Sequence, residues 1–271
     1  MKTTSAILML TSLWALFSCG NKQSTTPTDM NWSLHSQQDT TNKKVKQNIF
    51  GEETEFNYSD FYDLKNNKSY DRFFTGDLAL PTGQFVCADP MYRALGLPQV
   101  WTTKPGDYPV YLYIGLYDDF RGRVAYAELN IKDEIPAYWE WSLISEKLLA
   151  DDFEKKMNGV YPVENGLGSF SDYQTWKIYN QEITDYYASK KGGNYYTDIL
   201  ESHFKANVNR PSSSRGEDWI NYKPAKANGN IIMFGSGMGD GLYARYVGYN
   251  KNGEVIKFIT DFIRLANHAD E

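Results

Sequence analysis

Histidine and cysteine are scarce in this 271-residue chain: three histidines and two cysteines. No His-x-x-x-His pair and no Cys-x-x-Cys pair occurs, so the usual zinc-binding spacings are excluded. No Gly-x-Ser-x-Gly elbow occurs either. "GSG" (235–237) and "GSF" (168–170) lack its flanking pattern. Positive charge is also short, with 28 Lys and Arg against 34 Asp and Glu, a net charge of −6. Long-range attraction to nucleic acid or to anionic lipid is therefore not expected. Apolar runs are short except one, Ala6–Phe17, which is too brief for an ordinary membrane span.

That run follows Lys2 and ends in "LFSC" (16–19). A short basic region, an apolar region and a terminal cysteine form a signal peptide that resembles the lipobox of bacterial lipoproteins. The resemblance implies cleavage before Cys19 and diacylglycerol on its thiol. Residues 1–18 are then the signal peptide. Residues 19–48, rich in Ser, Thr, Gln, Asn and Lys, offer little to bury and read as a flexible polar tether. The expected location is the bacterial cell envelope, with the chain held at the membrane by lipid. Acyl chains contribute about 0.8 kcal/mol per buried CH₂, enough for stable anchoring when two or three are present.

Once Cys19 is lipidated only Cys87 remains, and no intrachain disulfide can form. Cys87 lies in the apolar "GQFVCADP" (83–90) and reads as a buried thiol. A catalytic cysteine needs a base. His35 falls in the tether and His268 near the C-terminus, so only His203 could serve.

The body, residues 49–271, is expected to be one α+β domain: an antiparallel β-rich body with a helical insertion at about 137–209. "DRFFTGDLALPTGQFVCADP" (71–90) reads as two strands around Pro81–Gly83. "DYPVYLYIGLYDD" (107–119) and "GRVAYAELNIKD" (122–133) form a hairpin across a short loop. "AYWEWSLISEKLLADDFEKKM" (137–157), residues 172–192 and residues 195–209 read as helices, with Asp172 available as a cap. "RPSSSRGEDW" (210–219) reads as an exposed loop. Residues 230–234, 242–249 and 254–263 read as strands, the last two joined at Asn252–Gly253. Two tryptophans of the 137–157 segment, Trp139 and Trp141, could not both be buried on one helical face, so one is expected to be exposed.

"FGSGMGDGLYARYVGY" (234–249) has glycines at 235, 237, 239 and 241 and an acid at 240. Gly-x-Gly-x-Gly-x-Gly is not the dinucleotide fingerprint, and a strand rather than a helix follows. One carboxylate is too few for a calcium loop. The spacing points to a turn or bulge with unusual backbone angles, with Asp240 accepting nearby backbone donors.

Four segments together carry a family resemblance: "GQFVCADP" (83–90), "PGDYPVYL" (105–112), "NGLGSFSD" (165–172) and "SGMGDGLYARYVGYNKNGEVIKFITDF" (236–262). Over about 70–262 the chain resembles the bacterial domain-of-unknown-function family 4241. It departs from that pattern at Met238, where an aromatic residue looks more usual. The resemblance implies no activity. Relatives that look like accessory or immunity proteins beside secreted toxins point, by association, to a protein partner. The motif residues Asp89, Asp172, Gly237, Gly239, Asp240, Gly241 and Asp261 are candidates for a binding site or for structural duty. No catalytic residue, metal site or cofactor is assigned. A non-enzymatic binding module is the favoured reading. A carboxylate hydrolase would need two of the four acids to meet in a pocket, as glycosidase pairs do. A carbohydrate-binding module would need exposed coplanar rings.

Overall fold

The computed structural model describes residues 61, 63–92, 96–207, 209, 212–214 and 219–265, without the side chains of Phe153, Arg264 and Leu265. Cys19, the expected signal peptide and tether, and most of the 210–219 loop lie outside the described residues. Among the described residues the fold is β-rich and antiparallel, with 41% strand against 23% helix.

Two sheets face each other. The larger has seven strands: β1 (Tyr70–Leu80), β3 (Gly106–Gly115), β4 (Val124–Asn130), β11 (Val255–Leu265) and β10 (Gly241–Tyr249) in that spatial order, with β5 (Tyr138–Trp141) and β6 (Val160–Val163) sharing the free edge of β10. The smaller is ordered β2 (Phe85–Ala88), β7 (Leu167–Asp172), β9 (Ile231–Gly235) and β8 (Trp219–Tyr222). Phe258 of the large sheet meets Phe85 and Phe170 of the small one, with ring centroids 4.6 and 5.4 Å apart. Aromatic edge contacts of this kind add to area burial.

Helices cover the outer face of the small sheet. Trp176, Tyr179 and Ile183 of α2 (Tyr173–Ser189) and Phe204 of α3 (Glu201–Ala206) pack with Val86, Ile220, Ile231 and Met233. Asp172 caps α2 as expected, accepting from Gln174 N at 2.8 Å. The outer face of the large sheet carries a third cluster, including Phe61, Leu64, Tyr126, Trp139, Ile144 and Met157. Strand β4 is consequently buried along its whole length.

The expected helical insertion at 137–209 is corrected. Strands β5, β6 and β7 fall inside it, and the 137–157 segment holds only a five-residue helix, α1 (Asp152–Lys156), and a single 3₁₀ turn. Its opening "YWEW" takes the period of a strand, so Trp139 and Trp141 lie on one face after all. Trp139 is buried, and Trp141 is half-buried against Tyr246 at 5.0 Å. Pro162 is tolerated in β6 because that strand is an edge.

Candidate functional site

The glycine stretch is where the chain changes sheets. Strand β9 belongs to the small sheet and β10 to the large one, so residues 236–240 form the corner between them. Gly237 has φ 68°, and a Cβ there would stand 2.3 Å from the Val124 carbonyl oxygen. Gly239 has φ 93° with open space around it. Gly241, at φ 159°, is close to extended. The corner is closed by its own polar groups: Ser236 Oγ and Tyr243 OH both donate to Gly239 O, at 2.6 and 2.8 Å. Arg123 Nη1 donates to Gly237 O at 2.9 Å.

Two further corners join the sheets, β1 to β2 across 81–84 and β6 to β7 across 164–166. Three of the motif aspartates clamp them. Asp172 Oδ2 accepts from Thr82 N at 2.9 Å and Thr82 Oγ1 at 2.7 Å. Asp89, wholly buried, accepts from Met91 N and Tyr92 N through Oδ1 and from Glu164 N, Asn165 N and Asn165 Nδ2 through Oδ2. Asp240 is exposed and accepts from Gly166 N at 2.9 Å, reaching across to another corner instead of its own turn. Asp89 and Asp240 thus grip successive N–H groups of one corner, 164–166, while Asp172 holds a different one. These carboxylates are occupied by backbone donors.

Asp261 lies elsewhere, on the outer face of the large sheet opposite Tyr126, with Oδ1 accepting from Ile263 N. Burial, and then the Asp261 charge, push the Tyr126 phenol far above its usual range. Cys87 is buried between the sheets, and burial pushes its thiol up to about 12. The exposed ring of His203 packs against Tyr222, which belongs to the cluster on the other face of the small sheet. No cysteine–histidine pair is assembled from these two residues.

Ring geometry bears on sugar binding. Trp101, Trp139, Trp176 and Trp219 are buried. Phe74 is exposed, but its ring is tilted 50° to Tyr111. Tyr138 and Tyr249 stack on each other. These rings do not form a coplanar platform.

One concavity lies elsewhere on the outer face of the large sheet. It has a volume of about 290 Å³ and is lined by Phe61, Leu64, Ile135 and Pro136 together with Asp63, Lys65, Asn66, Glu128, Asp133, Glu134 and Lys257. Neighbouring register positions on the sheet bring a charged cluster to it. Glu128 Oε1 is 3.4 Å from both Arg72 Nη2 and Lys257 Nζ, and Oε2 accepts from Tyr113 OH at 2.9 Å. Lys257 Nζ also donates to Asn130 Oδ1 at 2.9 Å. The Arg72 guanidinium lies 3.3 Å over the Tyr111 ring. Burial works to lower its pKa, but Tyr113 and Glu128 outweigh that and hold it above its ordinary value. At the mouth, Lys65 bridges to Asp133 at 2.9 Å and holds that carboxylate below its usual range.

None of the four motif aspartates lines this cavity. Glu128 and Lys257 belong to no catalytic or binding motif of the sequence: Glu128 is the one charge of β4, and Lys257 shares β11 with Asp261 and Arg264. The available signal was their placement: Glu128 and Asn130 alternate with Ala127 and Leu129, and Lys257 with Ile256 and Phe258.

No curated protein and no solved structure matches the chain significantly. Residues 78–260 match the family described as "Protein of unknown function (DUF4241)", a span that takes in the three corners, the aspartates that clamp them and the Glu128–Lys257 pair but not Arg72, and the chain belongs to that family.

Proposed function

We propose that the protein is a lipid-anchored binding module of the bacterial cell envelope that engages another protein through the outer face of its large sheet. The observation that carries this reading is the cavity over Glu128 and Lys257. At about 290 Å³ it is at the low end for a small-molecule pocket, and suits one inserted side chain better than a glycan segment. Lys257 Nζ has three hydrogens and two acceptors, Glu128 and Asn130, so it can donate once more. At the rim Asp133 is already bridged to Lys65, and Glu134 favours a partner that brings a polar or basic side chain. Anchoring at Cys19 rests on the signal-like N-terminus and its "LFSC" end. The hydrolase reading is the second choice: the two motif aspartates that come together, Asp89 and Asp240, are engaged with the N–H groups of 164–166, and neither lines the cavity.

Cross-linking in the native envelope, followed by purification and mass spectrometry, tests the proposal. Wild type should recover one stoichiometric protein, and Ile135→Glu, at an exposed position lining the cavity, should lose it. Equal recovery by both would move the site elsewhere, and recovery of none would remove the protein-binding reading. Radiolabelled palmitate should enter wild type and not Cys19→Ala; equal labelling would end the anchoring reading.

A further inference from the structure

Arg245 is an arginine in the middle of the sandwich. It is wholly buried, and its strand partner Thr260 and the residues Tyr161 and Cys87 face the same interior. Its backbone is spent on the sheet edges, N donating to Gly159 O and O accepting from Ser142 N. With the Gln99 amide turned so that its oxygen faces the guanidinium, Nη1 donates to it at 3.2 Å, and the Gln99 nitrogen donates to Ser142 Oγ at 2.8 Å. Trp101 Nε1 donates to the same hydroxyl at 2.7 Å. Nε and Nη2 have no acceptor among the described residues.

We propose that Arg245 holds a halide-sized monovalent anion between the two sheets, gripped side-on by Nε and Nη2. The two nitrogens without a partner form one edge of the guanidinium, the fork that elsewhere takes a carboxylate or phosphate bidentately. A buried arginine without a counter-charge is strongly unfavourable. Its acceptor here, Gln99, is neutral. The ionisable groups acting on it, Cys87 and Tyr161, are both raised by burial and so carry no charge at neutral pH. Arg245 itself is lowered by burial to about 10 and stays protonated. The other neighbours supply no acceptor for the fork: Tyr161 turns its ring to the guanidinium at 5.9 Å, and its hydroxyl shares a hydrogen bond with Thr260 Oγ1 at 3.0 Å. A water could accept from the fork but would leave the charge unbalanced. Complete burial limits the occupant to something small.

The test uses the full chain. Crystals grown in bromide should show one anomalous peak between the sheets, touching Nε and Nη2. At fixed ionic strength, the unfolding equilibrium constant should fall about tenfold for each tenfold rise in chloride or bromide above saturation, relative to gluconate. Arg245→Met should lose that dependence. Water density at the fork, or bromide only at surface lysines (an adventitious ion only), would overturn the proposal. So would identical wild-type unfolding in halide and gluconate, a result that needs no variant to fold.

Discussion

Asp89, Asp172 and Asp240 differ in how much backbone each one satisfies, and that sets an order of importance. Asp89 takes four backbone N–H groups while buried. Asp172 takes two, at a helix start and at a corner, plus one hydroxyl. Asp240 takes one while exposed. A buried donor left unsatisfied costs about 1–3 kcal/mol, with losses that do not add in full. Urea unfolding should therefore rank the alanine variants. Asp89→Ala should lose at least about 4 kcal/mol, Asp172→Ala about 2–3 kcal/mol and Asp240→Ala about 1 kcal/mol. If Asp240→Ala were the most damaging of the three, the clamp account would fail.

Among the elements, strands with clear alternation or turn chemistry were readable in the sequence. The β3–β4 and β10–β11 hairpins and the long helix α2 lie where their patterns put them. The 137–157 segment was not readable, because Leu148, Leu149, Phe153 and Met157 mimic helical spacing while the residues before them pair with β10. Partner strands decided that outcome, and they are remote in sequence. Strand β8 was hidden at the end of a serine-rich loop, and its pairing with β9 supplied what its composition did not. The motif residues could be named from the sequence, but the corners that Asp89, Asp172 and Asp240 tie together could not, because these depend on which sheet each strand joins. At the β9–β10 corner this gives a sharp expectation. Gly239→Ala should cost the left-handed strain alone, about 1–2 kcal/mol. Gly237→Ala should cost clearly more in the same unfolding measurement, because the Val124 carbonyl occupies the space its Cβ needs. Gly241→Ala carries no left-handed strain, since its φ is nearly extended. Equal losses at 237 and 239 would show that the corner can shift away from Val124.

For the whole molecule, the sandwich and the proposed anchor together fix how many thiols can react. If Cys19 is lipidated, as proposed, Cys87 is the one remaining thiol, and it is fully buried between two sheets. Burial raises its thiol to about 12, so at pH 8 it is both shielded and protonated. A thiol reagent should therefore count none in the native processed chain and one in denaturant. Chain made without lipidation should show one native thiol and two after unfolding. Because the folded pKa of Cys87 lies above its unfolded value near 9, its contribution to stability is present below pH 9 and is lost as pH rises through 12. Native labelling of Cys87 should accordingly quicken above pH 9, as the open state becomes more populated. One reactive thiol in the native processed chain would contradict one of the two premises, and Cys87→Ala identifies which. If the signal persists in that variant, Cys19 is free and the anchor is wrong. If it vanishes, Cys87 is accessible and the sandwich opens more readily than its packing implies.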